Sequence, residues 1–209
     1  MRRVPFVVVV SSVAACLVGI ACVAPPAPTP APPDANASIV ETVRKDDPKK
    51  SGLQVIRRSG GSVQATVTWK DGVKEGPSFE YDEKGKCITA GQYAAGEKTG
   101  LWREWSSCGE LTWETSYVAG KKDGVRTQWD NDCDPKSPQE VAETMTFKEG
   151  VKQGPCVAYW CGDGTVKSRG DYDKGERHGT WNTFYRDGKP MKTIVYEHGE
   201  RVSEVDHHS

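Results

Sequence analysis

The sequence predicts an all-β protein: an elongated, twisted, single antiparallel sheet built from successive β-hairpins. Three observations predict it. One phrase recurs through most of the 209 residues: an aromatic, then Gly-x-x-x-Gly, then a second aromatic. Self-similarity at a fixed period marks a repeat architecture. The stretches between the glycines are rich in aromatic and β-branched residues, as in Trp113-Glu114-Thr115-Ser116-Tyr117, which is strand composition. Glycines, able to take positive φ, punctuate both ends of these stretches.

Taken in order, the chain opens on Met1-Arg2-Arg3 and an almost wholly apolar run, Val4 to Ala21. This is a secretory signal pattern. Val18-Gly19-Ile20-Ala21-Cys22 has the form of a lipobox, so residues 1–21 read as a lipoprotein signal peptide and Cys22 as the lipidated N-terminus. Ser12-Val13-Ala14-Ala15-Cys16 fits more loosely. The competing reading is an uncleaved anchor, since Val4–Ala24 is just long enough to span a bilayer. Residues 22–50 form a Pro-rich tether, with Ala24-Pro25-Pro26-Ala27-Pro28-Thr29-Pro30 favouring extended polyproline II.

The repeats occupy residues 51–203. Val63-Gln64-Ala65-Thr66-Val67-Thr68-Trp69 alternates as a half-buried strand and leads in. The repeat glycines then fall at Gly72/Gly76, Gly96/Gly100, Gly120/Gly124, Gly150/Gly154 and Gly175/Gly179, with a truncated copy at Gly199. Each pair is expected to bracket one polar loop. The aromatics ahead of them are Trp69, Tyr93, Tyr117, Phe147, Tyr172 and Tyr196. The closing aromatics are Tyr81, Trp105, Trp129, Tyr159 and Phe184. If Gly-x-x-x-Gly is a loop centred on Lys98, Tyr93 faces Arg103 and Trp105 lies diagonally beside it. Both aromatics of every unit then build one face. A one-residue slip in that register would move one set to the other face. The third unit carries an extra stretch, Asp134-Pro135-Lys136-Ser137-Pro138-Gln139. Residues 204–209 read as a polar tail.

The run Tyr172-Asp173-Lys174-Gly175-Glu176-Arg177-His178-Gly179-Thr180-Trp181, with its counterparts, resembles MORN-type repeats. More specifically, it resembles the MORN-variant repeats of bacterial YwqK-family antitoxin-like proteins. The resemblance covers about residues 62–203 and returns five times. It implies an extended, twisted antiparallel sheet without catalytic residues, about five and a half repeats long.

Composition narrows the function. Hydrophobic residues make up 36% of the chain and charged residues 27%, too polar for an integral membrane protein beyond the N-terminus. The net charge is −1, and loss of Arg2 and Arg3 with residues 1–21 takes it to −3. That balance argues against nucleic acid as a partner, because phosphate binding needs a basic surplus or stripe. No catalytic set stands out: His178 and His198 lie in repeat loops, His207 and His208 in the tail, and no serine sits in a nucleophile elbow. No metal or cofactor site is expected.

Five cysteines fall in the repeat region: Cys87, Cys108, Cys133, Cys156 and Cys161. Beyond a signal sequence these read as disulfide formers rather than zinc ligands. The register centred on Lys98 brings Cys87 and Cys108 together at the open end of one hairpin. Similar geometry pairs Cys133 with Cys161 and leaves Cys156 odd. The functional expectation is a non-enzymatic, envelope-anchored repeat lipoprotein in the outer membrane. It is held by its N-terminal lipid and serves as a structural module or as a binding module for another envelope protein. The alternatives are a toxin-neutralising, immunity-like protein, which the resemblance suggests, and a glycan-binding protein, which requires exposed aromatics.

Overall fold

The computed structural model describes residues 49–130 and 139–207. The signal peptide, Cys16, Cys22, nearly all of the tether, Cys133 and most of the inserted stretch lie outside the described residues. The rest forms thirteen antiparallel strands in one open sheet whose spatial order is the sequence order. They are β1 (Gly52–Arg57), β2 (Val63–Lys70), β3 (Val73–Tyr81), β4 (Cys87–Ala94), β5 (Glu97–Trp105), β6 (Leu111–Val118) and β7 (Lys121–Trp129). Then follow β8 (Val141–Lys148), β9 (Val151–Tyr159), β10 (Val166–Asp173), β11 (Glu176–Phe184), β12 (Pro190–Glu197) and β13 (Glu200–Asp206). The all-β, single-sheet expectation is therefore met. The sixth copy is a full hairpin rather than a truncated one, and β13 takes in residues 204–206 of the expected tail.

The hairpin geometry departs from the expected five-residue loop. Each tight turn is only two residues: Asp71-Gly72, Ala95-Gly96, Ala119-Gly120, Glu149-Gly150, Lys174-Gly175 and His198-Gly199. Both residues have positive φ, +46° to +50° for the first and +76° to +92° for the second. Two consecutive positive φ values define the type I′ turn, whose twist matches that of the flanking strands. Only glycine takes the second position without strain, which explains the first glycine of every repeat.

The second glycine of each pair does not close a loop, contrary to the sequence expectation. Gly76, Gly100, Gly124, Gly154 and Gly179 lie inside β3, β5, β7, β9 and β11. Each sits where its strand bulges against the preceding one. In the second unit Gln92 pairs with Thr99 and Ala90 with Arg103, so Gly91 faces the three residues Gly100–Trp102. The same shift occurs between Val67 and Trp69, Thr115 and Tyr117, Met145 and Phe147, and Arg169 and Asp171. The five bulge glycines have φ between +64° and +106°, the left-handed backbone that a bulge of this kind asks of its glycine. On its other side each pairs with the leading aromatic of the next unit: Gly76 with Tyr93, Gly100 with Tyr117, Gly124 with Phe147, Gly154 with Tyr172 and Gly179 with Tyr196.

Tyr93 consequently pairs with Lys98, not Arg103. Facing residues in this hairpin have opposite parity, whereas the loop centred on Lys98 gave them equal parity. Because side chains alternate with period two, the difference moves Trp105 to the face opposite Tyr93. The two aromatics of each unit thus lie on opposite faces.

We call the face carrying Trp69, Tyr93 and Tyr117 the front. The back carries Phe79, Tyr81 and Trp105. A back cluster of Val55, Val63, Phe79, Tyr81 and Ala90, with Cys87 and Trp105 against it, lies near the N-terminal end. A front cluster of Met145, Phe147, Cys156 and Trp181, with Tyr172, Ile194 and Tyr196 against it, lies near the other end. β7 ends and β8 begins at the edge away from the tight turns, where Asp130 N–H donates to Glu140 O at 2.9 Å. The lengthened step therefore leaves the tight-turn edge in register: Tyr117 pairs with Lys122 and Phe147 with Lys152, as in other units.

Candidate functional site: a cation–aromatic ladder on the front face

The tight-turn edge is stitched from unit to unit. The N–H groups of Gly72, Gly96, Gly120, Gly150, Gly175 and Gly199 donate to the carbonyls of Lys50, Lys74, Lys98, Lys122, Lys152 and Arg177 in turn. Each acceptor is a cationic residue of the preceding unit. From Lys74 on, each stands two places after its own turn glycine. Pinning the backbone of each cation places its side chain on the front, beside the aromatic of the next unit.

The result is a row in which cations and rings alternate. Lys50 Nζ lies 5.2 Å from the Trp69 ring centre. Lys74 Nζ lies 4.8 Å from Tyr93, Lys98 Nζ 5.3 Å from Tyr117, and Lys122 Nζ 5.2 Å from Phe147. Lys152 Nζ lies 4.7 Å from Tyr172, and the Arg177 guanidinium 5.4 Å from Tyr196. Arg177 also donates to the Tyr196 hydroxyl at 3.0 Å. A cation over a ring contributes about 0.5–1 kcal/mol at exposed sites, so the row acts as packing as well as charge.

A second row runs beside the first, on the same face. It comprises Val67, Ser78, Gly91, Trp102, Thr115, Arg126, Met145, Cys156, Gly170, Trp181 and Ile194. Trp102 stands edge-on between Tyr93 and Tyr117, at 5.2 and 6.3 Å. Trp181 repeats this between Tyr172 and Tyr196, at 5.3 and 6.3 Å. Each indole lies flat against a glycine of the neighbouring strand: a β-carbon on Gly91 would come 2.2 Å from Trp102, and one on Gly170 2.2 Å from Trp181. Side-chain sizes compensate across the hairpins. Glycine faces tryptophan twice, while Val67 faces Ser78, Thr115 faces Arg126 and Met145 faces Cys156.

Sequence reasoning missed this second row. The signal was present: only the second and fifth units read Gly-x-Tyr ahead of the turn and Gly-x-Trp after it, at Gly91/Trp102 and Gly170/Trp181. The expected ladder aromatics are placed as follows. Trp69, Tyr93, Tyr117, Phe147, Tyr172 and Tyr196 all join the front row. Tyr81, Trp105, Trp129, Tyr159 and Phe184 sit near the far edge and do not meet them. Only Tyr81 and Phe147 are buried, and the rest are half-buried, as a single layer with no second sheet among the described residues dictates. Burial pushes the Tyr93 and Tyr117 phenols up, and the Glu80 and Glu104 carboxylates add to it.

The turns receive side-chain support from the back. Glu75 accepts from the Ala95 N–H at 2.8 Å, Asp123 from Glu149 at 3.2 Å, and Gln153 from Lys174 at 2.9 Å. Hydrogen bonds from Lys148 and from the Glu149 N–H hold the Asp123 carboxyl below its ordinary value.

Neither expected disulfide is formed as paired. The free thiols among the described residues are Cys87, Cys156 and Cys161. In the first case Thr89 pairs with Glu104, Cys108 sits in the turn between Trp105 and Leu111, and Cys87 stays a free thiol packed against the back cluster. Cys161 is exposed in the loop after β9, and Cys133 lies outside the described residues. Burial pushes the Cys87 thiol up to about 11 and the Cys156 thiol to about 12, with Glu143 adding to the latter.

No group of three or more His, Cys, Asp or Glu residues that could hold a metal occurs among the described residues. No helix there is long and apolar enough to cross a membrane. No family model matches the chain, and no curated protein matches it significantly.

Proposed function

We propose that the chain is a non-enzymatic repeat module of the MORN-variant type. It is carried outside the cytoplasm on a lipid at Cys22 and presents its sheet to another component of the cell envelope. One observation carries this reading. The thirteen strands form one layer, and among the described residues nothing packs over the half-buried rings of the front face. Repeat arrays use such extended surfaces for binding. The Pro-rich stretch after Cys22 supports a spacer between membrane and array.

The anchor is tested by metabolic labelling with a fatty acid. The wild-type chain should take up label, and Cys22→Ala should abolish both uptake and signal-peptide cleavage. Persistent labelling of that variant, or labelling that depends on Cys16 instead, overturns the assignment. Partner binding is tested with photo-crosslinkers placed at front positions such as Thr89 and Ser168. One envelope component should be captured in intact cells from front positions and not from back positions such as Thr127.

A further inference from the structure

We propose that the front ladder binds a linear acidic polysaccharide, with its chain running across the strands and its charged groups meeting the ladder cations. This deepens the module reading by naming the partner's chemistry; recognition here is by charge, so it does not need the exposed aromatics that a ring-stacking glycan site requires.

The first ground is uncompensated charge. Lys50, Lys74, Lys98, Lys122, Lys152 and Arg177 make no ion pair among the described residues. The ion pairs found there involve Arg103, Lys148, Arg186, Lys189, Lys192 and Arg201. The chain as a whole is nearly neutral; cations such as Lys70, Lys84 and Lys121 also stand outside the ion pairs, but only the ladder sets six of them on one line beside rings. From β2 to β12, neither the ladder nor the row beside it holds a carboxylate. Glu80, Glu104 and Glu143 stand in the third front row, further along the strands.

The second ground is mutual repulsion in the middle of the ladder. Arg126, in the second row, stacks 3.5 Å over Trp113. Its Nε is buried without a hydrogen-bond partner among the described residues. Burial holds the Lys122 ammonium below its ordinary value, and Arg126, Lys98 and Lys152 lower it further against the opposing pull of Glu104. A bound anion would relieve all four cations at once.

The third ground is spacing, which separates polyanions. Successive ladder cations lie two strands apart, about 9.5 Å in a sheet with 4.7–4.9 Å between strands. Within a duplex each nucleic-acid strand carries a phosphate about every 3.4 Å, and a free single strand has a flexible backbone with no fixed step. It also gains affinity by stacking bases on open rings, whereas these rings already have cations over them. An extended acidic peptide presents alternate side chains on one side about every 6.8 Å, which misses the first ladder step by about 2.7 Å. Two sugar rings of an extended glycan cover about the run of two strands. A polymer charged on alternate sugars therefore keeps step with the ladder.

The test uses the purified full chain and hyaluronan fragments, which carry one carboxylate per disaccharide, measured by calorimetry at low and high salt. Binding should occur at low salt, weaken with added salt, and be absent with neutral dextran. Lys98→Gln/Lys122→Gln/Lys152→Gln should weaken it at least about tenfold, which is about 1.4 kcal/mol. The matching triple arginine variant should retain it. Lys84→Gln/Lys189→Gln, at the far edge, should bind as wild type. Circular dichroism checks that each variant is folded. No binding at low salt, binding that survives the glutamine triple in a folded protein, or tighter binding of polyglutamate or oligothymidine overturns the proposal. Such a failure leaves the anchored-module reading standing, because capture in cells reads that reading separately.

Discussion

The two hydrophobic clusters sit on opposite faces of one sheet and are built by opposite rules. The back cluster, around Phe79 and Tyr81, is packed by side chains near the looped edge at the N-terminal end. Tyr81 is only 1% exposed there. Arg58 closes over it, donating to the Tyr81 carbonyl and, at 3.1 Å, to the Asp82 carbonyl. The front cluster, around Phe147 and Trp181, depends on absent side chains: Trp181 is buried because Gly170 opposite has no β-carbon. One cluster is made by filling space and the other by vacating it. A thin sheet has no second layer to complete a core, so each face must find its own cover.

The largest expected effect breaks the back cluster. Tyr81→Ala should cost about 3–5 kcal/mol, the range for truncating a buried aromatic. Tyr117→Ala, at a half-buried front position, should cost distinctly less. Urea unfolding of both variants measures the gap. Equal losses would mean that the faces are covered equally well and that the contrast is wrong.

A smaller effect sharpens the rule for the front. Gly170→Ala should cost about 1–3 kcal/mol by overpacking, since the added carbon meets the rigid indole of Trp181 at 2.2 Å. In a Trp181→Ser background the same substitution should be nearly neutral, because Val67 already faces Ser78 in the first unit. A double-mutant cycle reads the coupling. Additive costs would show that the glycine serves the backbone alone.

The smallest effect compares one thiol on each face. Both Cys87 and Cys156 have pKa values raised from the ordinary 9.0, to about 11 and about 12. The folded state therefore holds protons that the unfolded chain releases. Their contribution to stability is complete below pH 9 and is lost as pH rises through 11 and 12. Cys156→Ala should flatten the fall in stability over that interval. At pH 8, iodoacetamide should modify exposed Cys161 faster than Cys156. Equal rates would place Cys156 outside the front cluster.

The sequence by itself determined the fold class and the repeat. Positive-φ glycines, alternating strands and the recurring step leave little but a hairpin array, and each of these is a local property of a few residues. It also contained the ladder cations and rings, as Lys74, Lys98 and Tyr93, Tyr117 at fixed offsets. Only the tertiary structure decided which of them meet. The choice between a two-residue turn at Ala95-Gly96 and a loop centred on Lys98 changes the parity of every facing pair. It also turns Gly76, Gly100, Gly124, Gly154 and Gly179 from loop ends into bulges. That choice alone sends Trp105 to the back and brings Trp102 between Tyr93 and Tyr117. The tie-breaker is the fit of facing side chains between strands, an indole on Gly91 in one unit and Val67 against Ser78 or Met145 against Cys156 in others, which no local stretch of a few residues settles.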